Sequence, residues 1–263
     1  MKLKFVIILL TFVLGADIKV SAQNEMSTIF EKHYFTDTCG TVLPYRLVRP
    51  NYEMLPDKKF PVILFLHGAG ERGSDNQKQL TYIDKIFSRQ DFQENYPCYI
   101  IIPQCAEDFR WCEVDWRLDK HDMPKEISKY LNAANQLLDS IASTEKADKQ
   151  RLYITGMSMG GFGTWDLICR YPKKFAAAMP ICGGADEKQA DKLIDIPIRC
   201  FHGGLDKLVK VSRSKNMYNA VLKAGGIKIG YREFPYLGHF IWEKVYSDME
   251  NFEWLFSNVN EKN

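Results

Sequence analysis

Ser158 stands in the run Arg-Leu-Tyr-Ile-Thr-Gly-Met-Ser-Met-Gly-Gly-Phe-Gly, residues 151–163, with Gly156 two positions before it and Gly160 two positions after. A β-branched and aromatic stretch breaks there into a glycine-flanked serine. The amphipathic Phe162, Trp165, Leu167 and Ile168 follow, so the segment reads as strand, sharp turn and helix start. Such a turn holds a hydroxyl clear of a sheet. Strand and helix backbones then approach so closely that a Cβ at either flanking glycine would clash. The chemistry this suits is attack by the Ser158 hydroxyl on a carbonyl carbon. The backbone N–H of Met159, at the head of the helix, faces the space before that hydroxyl, where a helix N-terminus favours a developing oxyanion.

A serine nucleophile needs a base to take its proton and a carboxylate to hold that base in the correct tautomer. Among the five histidines, His33 falls in an opening hairpin, His121 in an irregular segment and His202 at a strand end, while His67 reads as a packed, loop-orienting residue. His239, preceded by Gly238 on a late turn, is the candidate base. Asp206 is the candidate carboxylate, in the exit turn His202-Gly-Gly-Leu-Asp206. Its rivals are placed less well: Asp186 starts a helix and reads as an N-terminal cap, and Asp195 precedes a strand, at the wrong end of a sheet. A second oxyanion donor is expected from the glycine-rich loop His67-Gly-Ala-Gly-Glu-Arg-Gly73, where the N–H of Ala69 is the candidate and Glu71 with Arg72 are read as a bracing ion pair. This chemistry calls for no cofactor, and no cysteine or histidine spacing suggests a metal site.

The elements that must position these groups alternate along the chain. Residues 27–36 and 41–49 read as an antiparallel hairpin around Cys39-Gly40. Phe60–Leu66 and Cys98–Pro103 are continuous apolar runs, as strands buried on both faces require. Leu80–Phe92 and Pro124–Ile141 carry helical spacing, and further strands are expected over 175–181, 198–201 and 227–234, with helices over 187–193, 211–224 and after His239. The fold class is therefore α/β, a mostly parallel central sheet with helices on both faces and an N-terminal antiparallel hairpin. Between them, residues 104–124 show no clean period. Trp111 and Trp116 in that stretch are candidates to line a substrate pocket, or else form the segment's own small core.

The order Ser158, Asp206, His239 is that of the α/β-hydrolases, and the resemblance extends further. His67–Gly73, Pro103-Gln-Cys105, Gly156–Trp165, Tyr171-Pro172, Pro180–Gly184, Phe201–Asp206 and Gly238-His239 with Trp242 resemble the exported esterase/peptidase-like α/β-hydrolases, the predicted peptidases related to polyhydroxybutyrate depolymerases and feruloyl esterases. The likeness runs in order through nearly the whole chain after residue 22. It implies a serine ester hydrolase with Ser158 as nucleophile, Asp206 and His239 as its partners, and Ala69 and Met159 as oxyanion donors. Gly204-Leu205 departs from the pattern, since a more polar residue is expected before the aspartate.

Length and composition bound the rest. The 263 residues, 46% hydrophobic and 26% charged, suit one globular domain. Residues 1–22 read as a signal peptide, with Lys2 and Lys4, the apolar run Phe5–Leu14 and the small-residue sequence Val20-Ser21-Ala22, leaving 23–263 as a single catalytic domain. The apolar run is shorter than the ~20 residues of a spanning helix, so export to the periplasm or outside the cell is expected, without stable membrane insertion once the signal is removed. Three lysines and one aspartate leave with the signal peptide, taking the formal charge from +2 to zero. No basic stripe with interleaved aromatics suggests nucleic acid. Cys98, Cys169, Cys182 and Cys200 read as buried hydrophobes, and Cys105 with Cys112 is the one pair whose spacing suits a local disulfide. The expected partner is a small-molecule or polysaccharide ester, an acetyl or feruloyl ester of plant polysaccharide, while the oligomeric state is unknown from sequence. A serine peptidase using the same triad is the alternative, favoured less because no further domain to hold peptide is evident. A non-catalytic carbohydrate-binding protein on the same scaffold is a third reading, against which the three intact residues argue.

Overall fold

The computed structural model describes residues 29–51, 57–143 and 146–261, so the expected signal peptide lies outside the described residues. Eight strands form one sheet: β1 (Glu31–Thr36), β2 (Val42–Val48), β3 (Phe60–Leu66), β4 (Tyr99–Pro103), β5 (Ala147–Met157), β6 (Ala177–Ile181), β7 (Ile198–Gly203) and β8 (Ile229–Phe234). Their spatial order is β1-β2-β4-β3-β5-β6-β7-β8. β1 and β2 form the expected hairpin, with His33 opposite Tyr45, and β2 runs antiparallel to β4. From β4 to β8 every pairing is parallel.

Helices cover both faces, as a parallel sheet with buried strands demands. Those described are α1 (Asp84–Phe87), α2 (Gln90–Asn95), α3 (Lys129–Ala142), α4 (Met159–Arg170), α5 (Ser212–Lys223), α6 (Trp242–Ser247) and α7 (Met249–Phe256). Alternation along β3 shows how one strand serves two cores. Val62, Leu64 and Leu66 belong to the buried cluster that includes side chains of α3, α4 and α5, whereas Ile63 and Phe65 belong to the one that includes side chains of α1, α2, α6 and α7.

Two expected helices differ in extent. The stretch 80–92 is broken into a 3₁₀ turn, Lys78–Leu80, followed by α1 and α2, because Arg89 leaves helical geometry before Gln90, at φ −60°, ψ 133°. The helix expected from Pro124 begins only at Lys129, where Ser128 caps it by accepting from the N–H of Leu131. The 187–193 element is a 3₁₀ helix, and Asp186 caps it as expected, its side chain accepting from Lys188 N–H.

Candidate active site

β5 delivers Ser158 in the strained turn its flanking residues require. The serine has φ +55° and ψ −118°, a conformation a side chain adopts only when the surroundings impose it. Its N–H donates to the carbonyl of Ile181 at 2.8 Å, fixing the elbow against the end of β6. The glycines make this possible by close approach. A Cβ on Gly156 would stand 2.4 Å from the carbonyl oxygen of Gly160, and one on Gly160 would stand 1.9 Å from that of Leu66.

The loops after β7 and β8 bring the other two groups to the same edge. A Cβ on Gly203 would lie 1.9 Å from the carbonyl oxygen of Gly238, so the aspartate and histidine turns touch backbone to backbone. Nε2 of His239 lies 2.7 Å from Oγ of Ser158, and Nδ1 lies 2.6 Å from Oδ2 of Asp206. An ionised carboxylate only accepts, so Nδ1 carries the ring proton and Nε2 is left to accept from the serine hydroxyl. Burial would raise the Asp206 carboxyl, but hydrogen bonds from His202, His239 and the N–H of Val209 outweigh it and hold the group well below the usual carboxylate range. Leu205, expected to be polar, is exposed, and its backbone makes the tie, donating to the carbonyl of Leu237 at 2.9 Å.

The loop after β3 runs beside the nucleophile, and a Cβ on Gly68 would lie 3.7 Å from Ser158 Cβ. Ala69 opens a short 3₁₀ turn there, and Met159 is the first residue of α4. His67 is the loop-orienting residue its context suggested. Its Nδ1 faces the carbonyl of Gly68 at 2.6 Å, and its Nε2 accepts from the N–H of Cys105 at 3.0 Å. Burial pushes this imidazole down to about 4, so it is neutral near pH 7. Glu71 and Arg72 do not form the expected ion pair. Arg72 instead donates to the carbonyl of Ala69 at 2.9 Å. Glu71 is buried, and burial pushes its carboxyl upward against the N–H groups of Gly68 and Glu71 itself.

Trp111 is a structural pillar and not a pocket wall. It is 0% exposed, donates from Nε1 to the carbonyl of His67 at 3.0 Å, and packs against the His67 ring. An irregular loop of this length needs an anchor of its own, and the large apolar ring supplies it. Trp116 is half-buried, stacked under the Arg110 guanidinium at 4.6 Å and packed on Cys112, Val114, Phe162 and Val209. Cys105 and Cys112 are free thiols, both buried, with Cys112 Sγ 3.4 Å from Asp166 Oδ2.

Sequence reasoning passed over two residues at the site. His202, set aside as a strand end, places Nε2 3.1 Å from Asp206 Oδ2, and Cys182 places Sγ 3.4 Å from the carbonyl of His239. The four-residue spacing from His202 to Asp206 across one tight exit turn was the available signal for the first. Cys182 gave none. Ligand atoms of Cys182, His202 and Asp206 come within 4.8 Å of one another, but the imidazole and the carboxylate are bonded to each other within that group. Two clefts of about 660 and 770 Å³ meet at Tyr171 and Pro172 and include no triad residue. They lie beyond the far end of α4, roughly 18 Å of helix from Ser158, and so are not where this chemistry would occur.

Comparison with known proteins gives the family and the fold. A family described as phospholipase/carboxylesterase matches residues 53–254. A solved thermostable esterase is 34% identical, with a TM-score of 0.79, over 88% of this chain and 63% of that one. Poly(3-hydroxyalkanoate) depolymerase C of Paucimonas lemoignei is 36% identical over 156 residues, 56% of this chain and 33% of the depolymerase. An uncharacterized secreted protein of Arthroderma benhamiae is 25% identical over 80% of this chain and 25% of its own length. The chain thus spans a quarter to a third of these two curated relatives and less than two thirds of the esterase.

Proposed function

Because the chain belongs to the phospholipase/carboxylesterase family, we propose that it is an exported serine carboxylic-ester hydrolase working through an acyl-enzyme. The observation that carries this reading is the continuous chain from Ser158 Oγ through the His239 ring to Asp206 Oδ2, at 2.7 and 2.6 Å. Ser158 attacks the ester carbonyl as Nε2 of His239 takes its proton. The N–H groups of Met159 and Ala69 receive the oxyanion, each donor contributing roughly 3 to 4 kcal/mol to barrier lowering. His239 then passes the proton to the leaving alkoxide, and a water activated by the same nitrogen releases the acid.

Acetyl or feruloyl esters of plant polysaccharide are the proposed substrates, with half-buried Trp116 available to a sugar or aromatic group. The depolymerase relative adds hydroxyalkanoate esters as a further class to test. Among the described residues no helix is long and apolar enough to cross a membrane, and the basic and then apolar start of the sequence supports export. The test is hydrolysis of p-nitrophenyl acetate, methyl ferulate, acetylated xylan, a hydroxybutyrate oligomer and a peptide p-nitroanilide, by residues 23–263 and by their Ser158→Ala variant. Ester turnover that falls by about three or more orders of magnitude in the variant supports the reading. Cleavage of the anilide alone makes the protein a peptidase, and turnover unchanged by the substitution removes Ser158 from the mechanism.

A further inference from the structure

Asp206 faces two histidines, and only one of them belongs to the proposed triad. Oδ1 accepts the N–H groups of Leu208 and Val209 at 2.8 and 2.9 Å. Oδ2 lies between Nδ1 of His239 at 2.6 Å and Nε2 of His202 at 3.1 Å. His202 is 0% exposed. Its Nε2 also faces the carbonyl of Val209 at 3.0 Å. A carboxylate and a carbonyl both only accept, so Nε2 of His202 carries a proton.

On the other side of the ring, Nδ1 meets Oγ of Ser214, from α5, at 2.7 Å, and the same oxygen lies 2.8 Å from the carbonyl of Gly183. The hydroxyl has one proton. If it goes to Gly183, the ring donates from both nitrogens; if it goes to Nδ1, the ring is neutral. In both arrangements the Nε2–H is shared between Oδ2 of Asp206 and the carbonyl of Val209. Ser214 thereby fixes the ring plane from α5, while β7 fixes its backbone.

We propose that His202 is a positioning residue for the triad, its Nε2–H holding Oδ2 of Asp206 in line with Nδ1 of His239. The proposal rests on the reading of Ser158, His239 and Asp206 as a catalytic triad. With Oδ1 held by two backbone amides and Oδ2 by two imidazoles, the carboxylate cannot rotate, and the tautomer that leaves Nε2 of His239 free to accept is maintained. His202 is buried behind the carboxylate and reaches no substrate, so its loss acts on turnover and leaves substrate affinity alone.

Two amide substitutions separate the contacts. In His202→Gln the side-chain amide reaches the place of Nε2 and keeps a donor to Asp206; in His202→Asn it reaches only the place of Nδ1, toward Ser214. His202→Asn is expected to lose about ten- to a hundredfold in kcat, the worth of one charge-assisted hydrogen bond, with KM within about twofold, while His202→Gln recovers most of the turnover. A substrate-free readout accompanies them: the low-field proton resonance of the His239–Asp206 hydrogen bond is retained in His202→Gln and broadened or lost in His202→Asn. Equal kcat in all three proteins overturns the proposal, as does a His202→Gln variant as impaired as His202→Asn. Should His202→Asn not fold, the Nε2 proton resonance of His202 is compared between the unsubstituted protein and Asp206→Asn, where an upfield move on losing the carboxylate supports the pairing and an unmoved resonance, held by the Val209 carbonyl alone, overturns it. If no ester is turned over by any form, the esterase reading fails while the resonance comparison still decides the pairing.

Discussion

At the scale of single residues, the site is assembled by backbone contacts that leave no room for side chains. Gly160 meets the carbonyl of Leu66 so closely that Gly160→Ala must push β3 and α4 apart. The expected cost is about 1–3 kcal/mol, typical of overpacking, and thermal unfolding would register it as a lower melting temperature with ester turnover falling in parallel. Asp206→Asn probes a different requirement. The amide can donate where the carboxylate only accepts, so His239 loses the reason to keep its proton on Nδ1. Turnover should fall by about four orders of magnitude with the fold retained, checked by single-turnover kinetics beside circular dichroism. A small effect would mean that the tautomer is set by something other than this carboxylate.

At the scale of elements, the irregular stretch between β4 and α3 is held at both ends. Trp111 ties it to β3 through the His67 carbonyl, and Ser128 Oγ donates to the Trp111 carbonyl at 2.7 Å. Further along, Arg213 from α5 donates to the carbonyl of Asp119 at 2.7 Å and to Nδ1 of His121, and Lys210 pairs with Asp119 at 2.6 Å. Trp111→Ala empties a fully buried site and is expected to cost about 3–5 kcal/mol, measured by denaturant unfolding. Arg213→Met keeps much of the apolar stem but removes both loop ties. It should leave global unfolding nearly cooperative while speeding amide hydrogen exchange in residues 115–123; unchanged exchange there would show that Lys210 and Trp111 suffice. Because Cys105 and Cys112 are separate thiols, a reducing agent should leave the melting temperature of the whole loop and core unchanged.

At the scale of the whole molecule, histidines buried without charge contribute to acid sensitivity. Burial pushes His67 down to about 4; burial, aided by the Arg213 guanidinium, does the same to His121. In the unfolded chain both would take up protons near pH 6.5. Between about pH 6.5 and 4 the unfolded state therefore binds more protons than the folded one, and stability falls as pH falls through that window. Melting temperatures measured across it should decline, and His121→Asn, whose Oδ1 can still accept from Arg213, should flatten the decline. A slope unchanged by the substitution would assign the acid sensitivity to His67 or to the carboxylates.

The local sequence determined the elbow, since a Gly-x-Ser-x-Gly run between a β-branched strand and an amphipathic helix has few other solutions. It also determined the alternation of strands and helices, because fully buried parallel strands such as Phe60–Leu66 must be apolar on both faces. The order of Ser158, Asp206 and His239 along the chain, each just past a strand, was legible for the same reason: strand ends gather at one edge of a parallel sheet. Tertiary structure alone decided what depends on neighbours distant in sequence. It turned Trp111 into a core pillar, because the surface it needed was supplied by β3 and Gly163. It separated Glu71 from Arg72, because backbone groups of the loop were nearer partners. It also brought His202 to Asp206, because a turn too tight for side chains at Gly203 and Gly204 folds the carboxylate back over the end of β7. Spacing places residues on elements, but hydrogen-bond partners are chosen only when the elements pack.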